Sequence, residues 1–338
     1  MSIANILMNE RGEEKMRELT YREAIREALR EEMRRDESVF LLGEDIGRYG
    51  GSAKVTLGLI DEFGPHRVRD MPLSEAGIVG TALGAALVGM RPVAEITYMD
   101  FTLVAADQII NQVAKTHYMS AGQFKAPLVI RTPQNCCRSS AAQHSQSLEA
   151  LYTHIPGLIV FFPSTPHDAK GLLKTAVRND NPVLFVECRT LYDTKGLVPA
   201  DEYLLPIGKA DIKRRGKDVT VVAIARNVVQ ALEAAKILEK EGIDIEVIDP
   251  RTINPLDKET ITNSLKKTNK LVIVHDAWKT GGIGAEIAAS VAEDALDFLD
   301  APIKRVATLD TSIPYNPKLE QYVIPSIDNI VEGVKEIV

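Results

Sequence analysis

At 338 residues and 37.1 kDa the chain exceeds one ordinary hydrophobic core and fits two domains of roughly 100–200 residues each. Hydrophobic residues make up 45% and charged residues 26%, which excludes a disordered or fibrous chain and allows a core without disulfide or metal staples. A formal charge of −7 and a pI near 5.5 give no electrostatic footing for nucleic acid or an anionic membrane, so neither is an expected partner.

Residues 1–17 hold one short apolar stretch broken by charges and no small-residue cleavage site, so they read as an N-terminal extension and not as a signal peptide. Thr20 followed three residues later by Glu23 is a capping box that predicts a helix through Arg35. Residues 39–42 then read as the first strand. Further strands are expected at 67–70, 93–98, 128–132, 158–162 and 183–187, with helices in most of the gaps, the pattern of repeated strand-helix units around a parallel sheet. The apolar run 78–90 is too short for a bilayer, and its Gly80, Gly84 and Gly89 suit a tightly packed core helix. The stretch 133–142, PQNCCRSSAA, has no clear period and leads into Gln143-His144-Ser145-Gln146. A loop of this kind at a strand end is where α/β sheets hold ligands. Between Arg189 and Pro206 the periodicity lapses around Gly196, Pro199 and Pro206, and 196–205 reads as a linker. Strands are expected again at 219–225, 246–248, 271–275 and 304–308. The fold class is therefore α/β with two domains, 18–195 and 206–338.

Four features carry potential chemistry. Glu75, in 72–77 PLSEAG, falls in the first turn of a helix, where the macrodipole alone favours an acid; a catalytic carboxylate is the alternative. His144 sits among small polar residues, a setting for either a site imidazole or a hydrogen-bonded surface histidine. Cys136 and Cys137 are adjacent, unlike zinc ligands, and no spacing ties them to a histidine, so they read as loop fillers. Together with Cys188 they are too few for a disulfide framework, and a reducing cytoplasm is the expected compartment. Gly281-Gly282-Ile283-Gly284 lacks a full dinucleotide or P-loop pattern and reads as a tight strand-to-helix turn.

Taken together, several segments resemble the β subunits of 2-oxo acid and acetoin dehydrogenase E1 components: Gly43-Glu44-Asp45, 72–77, Arg91-Pro92 with Glu95, 107–112 DQIINQ, 142–146 AQHSQ and 168–173 DAKGLL. The resemblance runs from about Thr20 to the C-terminus. It implies a pyrimidine-binding domain followed by a transketolase-C-terminal-like domain. It also implies thiamin diphosphate shared with an α subunit in an α2β2 assembly, and a lipoyl-bearing acyltransferase, E2, as the acyl acceptor. By that resemblance Glu75 contacts N1′ of the aminopyrimidine, a task that needs a carboxyl able to share a proton. Phe101 matches the aromatic residue packed against the pyrimidine, with Leu73 and Thr97 as neighbours, and His144 matches the histidine that assists acyl transfer to the lipoyl group. Main-chain carbonyls of Leu128, Ala176, Val177, Asn179 and Asn181 match positions that hold a monovalent cation such as K+ in some relatives; a capped helix end accounts for them equally well.

The chain departs from the family in its 133–142 loop, where many relatives carry several glycines. No Gly-Asp-Gly followed by asparagine occurs; in the family this motif holds the magnesium diphosphate on the α subunit. That absence argues against a single-chain thiamin enzyme of the transketolase kind, and the presence of both Glu75 and His144 argues against a non-catalytic scaffold subunit. Segments 145–151, 154–158, 163–166, 205–213 and 300–305 look most like acetoin dehydrogenase β chains, with pyruvate or branched-chain 2-oxo acid dehydrogenase as the alternative.

Overall fold

The computed structural model describes residues 15–338, and each strand expected from sequence is present, with four more at 16–20, 195–199, 211–214 and 252–254. Of the expected extension, residues 1–14 lie outside the described residues. In chain order the strands are β1 (Met16–Thr20), β2 (Val39–Gly43), β3 (Val68–Asp70), β4 (Arg91–Glu95), β5 (Val129–Gln134), β6 (Ile159–Phe161) and β7 (Val183–Cys188). They continue with β8 (Lys195–Pro199), β9 (Asp211–Arg214), β10 (Val219–Ala223), β11 (Ile245–Asp249), β12 (Thr252–Asn254), β13 (Leu271–Trp278) and β14 (Lys304–Thr308). The chain divides into two compact units: residues up to Pro133 with 155–159 and 165–207, and residues 134–154, 160–164 and 208–338.

The first unit is built on strands in the order β7-β5-β4-β2-β3, with β2 parallel to β3 and β4, and β4 parallel to β5. Every residue of β2, β5 and β7 is buried, as expected of parallel strands covered on both faces. Helix Tyr21–Arg35 begins at the expected capping box, Thr20 accepting from the Glu23 amide and Glu23 reaching back. It packs against helix Pro166–Arg178, which carries Lys170 and Lys174 into the interface. Lys170 Nζ meets Glu27 at 2.5 Å and Glu31 at 2.7 Å, and Lys174 Nζ meets Glu31 at 2.6 Å. These pairs allow two buried lysines where an unpaired one would be excluded. Strand β4 ends at Glu95, short of the expected 98, because the chain turns at Tyr98 into a 3₁₀ turn at Met99–Leu103.

The helix Glu75–Leu87 differs from its expectation. Ile78, Val79, Ala82, Leu83 and Ala86 are buried, but Gly84, Leu87 and Val88 are exposed, so one apolar face has no cover among the described residues. Strands β1 and β8 pair antiparallel, Met16 opposite Pro199, so the expected linker opens with a strand. In the second unit the order is β14-β13-β10-β11-β9, parallel except for β9. Alternate residues of its strands meet helices Arg226–Lys240 and Ile327–Lys335 in one apolar cluster. Among the described residues no helix is long and apolar enough to cross a membrane.

Candidate active site

Two parallel strands and one helix aim their ends at the same place in the first unit. Glu44 follows the last residue of β2, Thr97 lies just past the end of β4, and Glu75 is the first residue of helix Glu75–Leu87. The carboxyl ends of parallel strands and the amino ends of helices are where this architecture gathers ligands. Glu75 is only 7% exposed. The Ser74 side chain before it makes no cap hydrogen bond, so the carboxyl side chain enters a helix end not already closed by a neighbour.

Glu44 accepts a hydrogen bond from Thr97 Oγ1 at 3.2 Å. Its other oxygen, Oε1, is buried with no hydrogen-bond partner among the described residues. Burial, and then the nearby charge of Glu75, push the Glu44 carboxyl above its usual range, with the Thr97 hydroxyl opposing. A carboxyl held above its usual range by burial and a like charge is one that gives up its proton less readily. No role was expected of Glu44 from sequence, although Gly43-Glu44-Asp45 is among the segments that carry the resemblance. Phe101, half-buried, stands edge-on to Tyr98 with centroids 5.4 Å apart at 82°, and Tyr98 is in turn faced by the Arg189 guanidinium. Leu73 is 83% exposed, a large apolar side chain held out beside the acid. The structure thus brings Glu75, Thr97 and Phe101 onto elements that share one edge of the sheet.

His144 belongs to the second unit, within the loop between β5 and helix Glu149–Thr153. Its backbone N–H donates to the Ala141 carbonyl at 3.3 Å, and its carbonyl accepts from Asn135 Nδ2 at 2.8 Å. Asn135 Nδ2 also reaches Ser140 Oγ, and Gln134 Nε2 reaches Ser147 Oγ at 2.7 Å. The loop is therefore tied across its base although no regular element holds it.

The five carbonyls expected at a cation lie around the end of helix Pro166–Arg178 and at the start of β5. Leu128 O accepts from the Val183 amide at 3.0 Å and Ala176 O from the Asn179 amide at 3.2 Å. Val177 O and Asn179 O both accept from Arg91 Nη1 at 3.0 Å, while Arg91 Nη2 pairs with Asp180 at 2.6 Å. A guanidinium thus already stands at two of these oxygens. Asn181 contributes its N–H to Asn179 Oδ1 at 2.7 Å.

Residues 17–195 match the transketolase pyrimidine-binding domain family, and residues 208–330 the transketolase C-terminal domain family. The chain is 48% identical over 320 residues to the pyruvate dehydrogenase E1 component subunit beta of Rickettsia felis, covering 95% of this chain and 98% of that one. It belongs to the E1 β-subunit family. This E1 β chain is also 48% identical to the 2-oxoisovalerate dehydrogenase subunit beta of Bacillus subtilis, over 94% of this chain and 98% of that one. It is 46% identical to the acetoin:2,6-dichlorophenolindophenol oxidoreductase subunit beta of the same organism, over 95% and 97%. A solved split-gene transketolase, described as an inactive beta4 tetramer, shares the fold with a TM-score of 0.78 over 94% of this chain and 98% of that one, at 24% identity.

One buried acid of the second unit lies outside this set. Glu149 is fully buried, with Oε2 unpartnered among the described residues. Burial, with the Asp276 charge adding to it, raises its carboxyl to about 7. The folded chain therefore keeps a proton that the unfolded chain releases in the ordinary glutamate range. The associated stability is complete below that range and is lost as pH rises through about 7. Glu149→Gln should leave Tm near wild type at pH 5 and raise it at pH 8, by up to about 3 kcal/mol of unfolding free energy. Parallel Tm–pH curves for the two proteins would contradict this.

Proposed function

We propose that this subunit is the β chain of an acetoin dehydrogenase. In this reading it contributes the aminopyrimidine half of a thiamin diphosphate site, which an α subunit completes with Mg2+ in an α2β2 assembly. The carrying observation is the Glu44–Thr97–Glu75 constellation at the sheet's carboxyl edge. A buried carboxyl and an orphaned buried oxygen fit a heterocycle that offers both a proton and an acceptor. Bound thiamin diphosphate supplies the nucleophilic carbon of the reaction. Glu75 then holds and returns the proton at the ring nitrogen N1′, and Glu44 stands beside it with Oε1 open to the ring. Phe101, Leu73 and Thr97 bound the ring, and His144 donates or accepts the proton during transfer of acetyl to the lipoyl group of an E2 acyltransferase.

The exposed apolar face at Gly84, Leu87 and Val88, continued in sequence by the exposed Val104, Tyr118 and Met119, supports cover by partner chains. The domain reading keeps an extension at 1–17, a pyrimidine domain at 18–195, a linker at 196–205 and a C-terminal domain at 206–338. The reading keeps a K+ ion at the carbonyls of Leu128, Ala176, Val177, Asn179 and Asn181, in competition with Arg91 for two of them; a rise in Tm in potassium chloride over choline chloride would test it. Three free cysteines support a reducing cytoplasm.

The acetoin specificity is supported by the flanking segments 145–151, 154–158 and 300–305; the relatives named for three different substrates are almost equally similar. Acetoin would be split to acetaldehyde and a two-carbon unit that is oxidised and passed on as acetyl. Specificity then depends on how the pocket treats a neutral hydroxyethyl group against a carboxylate. The chain assembled with its α partner, thiamin diphosphate and Mg2+ is expected to show the highest kcat/KM for acetoin with a dye acceptor. A clear preference for pyruvate or a branched-chain oxo acid would refute that assignment and leave E1 β membership intact.

A further inference from the structure

The loop that follows β5 places two thiols together for which the proposed reaction has no use. Cys136 Sγ and Cys137 Sγ are 3.3 Å apart. Cys136 is 1% exposed, packed with Ile313, Val323 and Ile324, whereas Cys137 is half-buried. Cys137, Ser139 and Ala141 all adopt positive φ, at 69°, 52° and 65°, a conformation that side chains resist unless the surroundings impose it. The imposing group is the buried Glu320. Its carboxylate accepts the Cys137 N–H at 2.9 Å and the Ser139 N–H at 2.8 Å.

We propose that Cys136 and Cys137 form a modification site, a vicinal dithiol that a hydroperoxide oxidises to a disulfide, lowering turnover through the loop that carries His144. The coupling to turnover rests on the role of His144 given above. Cys137 is the more accessible sulfur and reacts first. Its thiolate attacks the peroxide, breaking the O–O bond to give a sulfenic acid and one water from hydrogen peroxide. The Cys136 sulfur then displaces hydroxide from the sulfenic sulfur, forming the S–S bond and releasing a second water. Two thiols have lost two electrons and two protons, and the peroxide has gained them. The contact with Cys137 and burial hold the Cys136 thiol well above the usual thiol range, so Cys136 is not the sulfur that meets peroxide first.

The product is reversible by construction. Adjacent Cα atoms across a trans peptide are about 3.8 Å apart, short of the roughly 4.4–6.8 Å that disulfides favour. A strained vicinal bond is readily reduced by cellular thiols. Closure also moves the loop, because the sulfurs must approach by about 1.3 Å to bond, and the peptide that turns with them is the one clamped on Glu320. The next residue back is Asn135, whose Nδ2 holds both the His144 carbonyl and Ser140 Oγ. A shift there moves the histidine.

The test treats the assembled α/β protein with hydrogen peroxide, quenches with catalase, and maps cysteines by mass spectrometry after alkylation while turnover with a lipoyl acceptor is measured in parallel. A 136–137 cross-link is expected, with turnover falling about 10-fold or more and both changes reversed by dithiothreitol. Cys137→Ser is expected to retain turnover under peroxide, and Cys188→Ser to remain as sensitive as wild type. Absence of the cross-link, sulfinic acid at Cys137 in its place, a cross-link with unchanged turnover, or equal sensitivity of Cys137→Ser would each overturn the proposal. Failure of the His144 reading is seen separately, as wild-type turnover with a lipoyl acceptor in His144→Ala, because cross-link mapping does not depend on that residue.

Discussion

Glu75→Gln in the assembled α/β protein is expected to fold normally and to lose about 10²-fold or more of its turnover with every acceptor. Glutamine matches glutamate in shape and fills the same buried position, but its amide holds no exchangeable acid proton for N1′. A purely structural acid in a helix's first turn would behave otherwise. Its replacement would cost roughly 0.3–1 kcal/mol of stability and leave turnover alone. Circular dichroism and Tm measured beside kcat therefore separate the two readings, and wild-type turnover would sink the catalytic one. The variant should also relieve Glu44, whose carboxyl is held up in part by the Glu75 charge. His144→Ala serves as the contrast. It should depress transfer to a lipoyl acceptor more than turnover with an artificial dye, since the histidine is assigned to acyl transfer, whereas loss at Glu75 should be equal in both assays.

Arg131→Leu should destabilise the chain by about 3–5 kcal/mol, a fall in Tm on the order of 10 °C for a protein of this size. Arg131 is buried on β5 between two carboxylates. Its Nη1 donates to Glu95 Oε2 at 2.9 Å and its Nε to Glu187 Oε1 at 2.6 Å, while Tyr192 Oη donates to Glu187 Oε2 at 2.7 Å. Burial pushes the Glu95 carboxyl up even with the guanidinium beside it, so the pair of acids depends on Arg131 to stay in the sheet. Leucine fills part of the volume but leaves two buried carboxylates without that cation, and burying an unpaired charge costs more than any pair returns. Removing all three charges together should hurt less than removing Arg131 alone. A Tm shift under about 2 °C for Arg131→Leu would show that the network is not needed for stability.

Local pattern determined much of this protein. The capping box at Thr20 and Glu23, the apolar run of β2, and the placement of Glu75 in a helix's first turn all depend on residues within a few positions of one another. Those interactions form in any context that lets the segment order. Short polar strands carried no such signal. β1 and β8 pair residues near 18 with residues near 197, and β9, DIKR, is an edge strand whose only warrant is its antiparallel partner β11. The site shows the same division. Among the proposed site residues, Glu75 and His144 stand in motifs visible in the sequence, whereas Glu44 is proposed only because the sheet carries it beside Thr97, 53 residues away. Arg131 likewise meets Glu95 and Glu187 across 36 and 56 residues. Even the adjacent cysteines needed the fold, since it is Glu320, 183 residues on, that clamps the loop at Cys137. Such meetings follow from burying apolar surface across the whole chain, and a charge placed by that burial takes its proton affinity from neighbours that only the tertiary structure supplies.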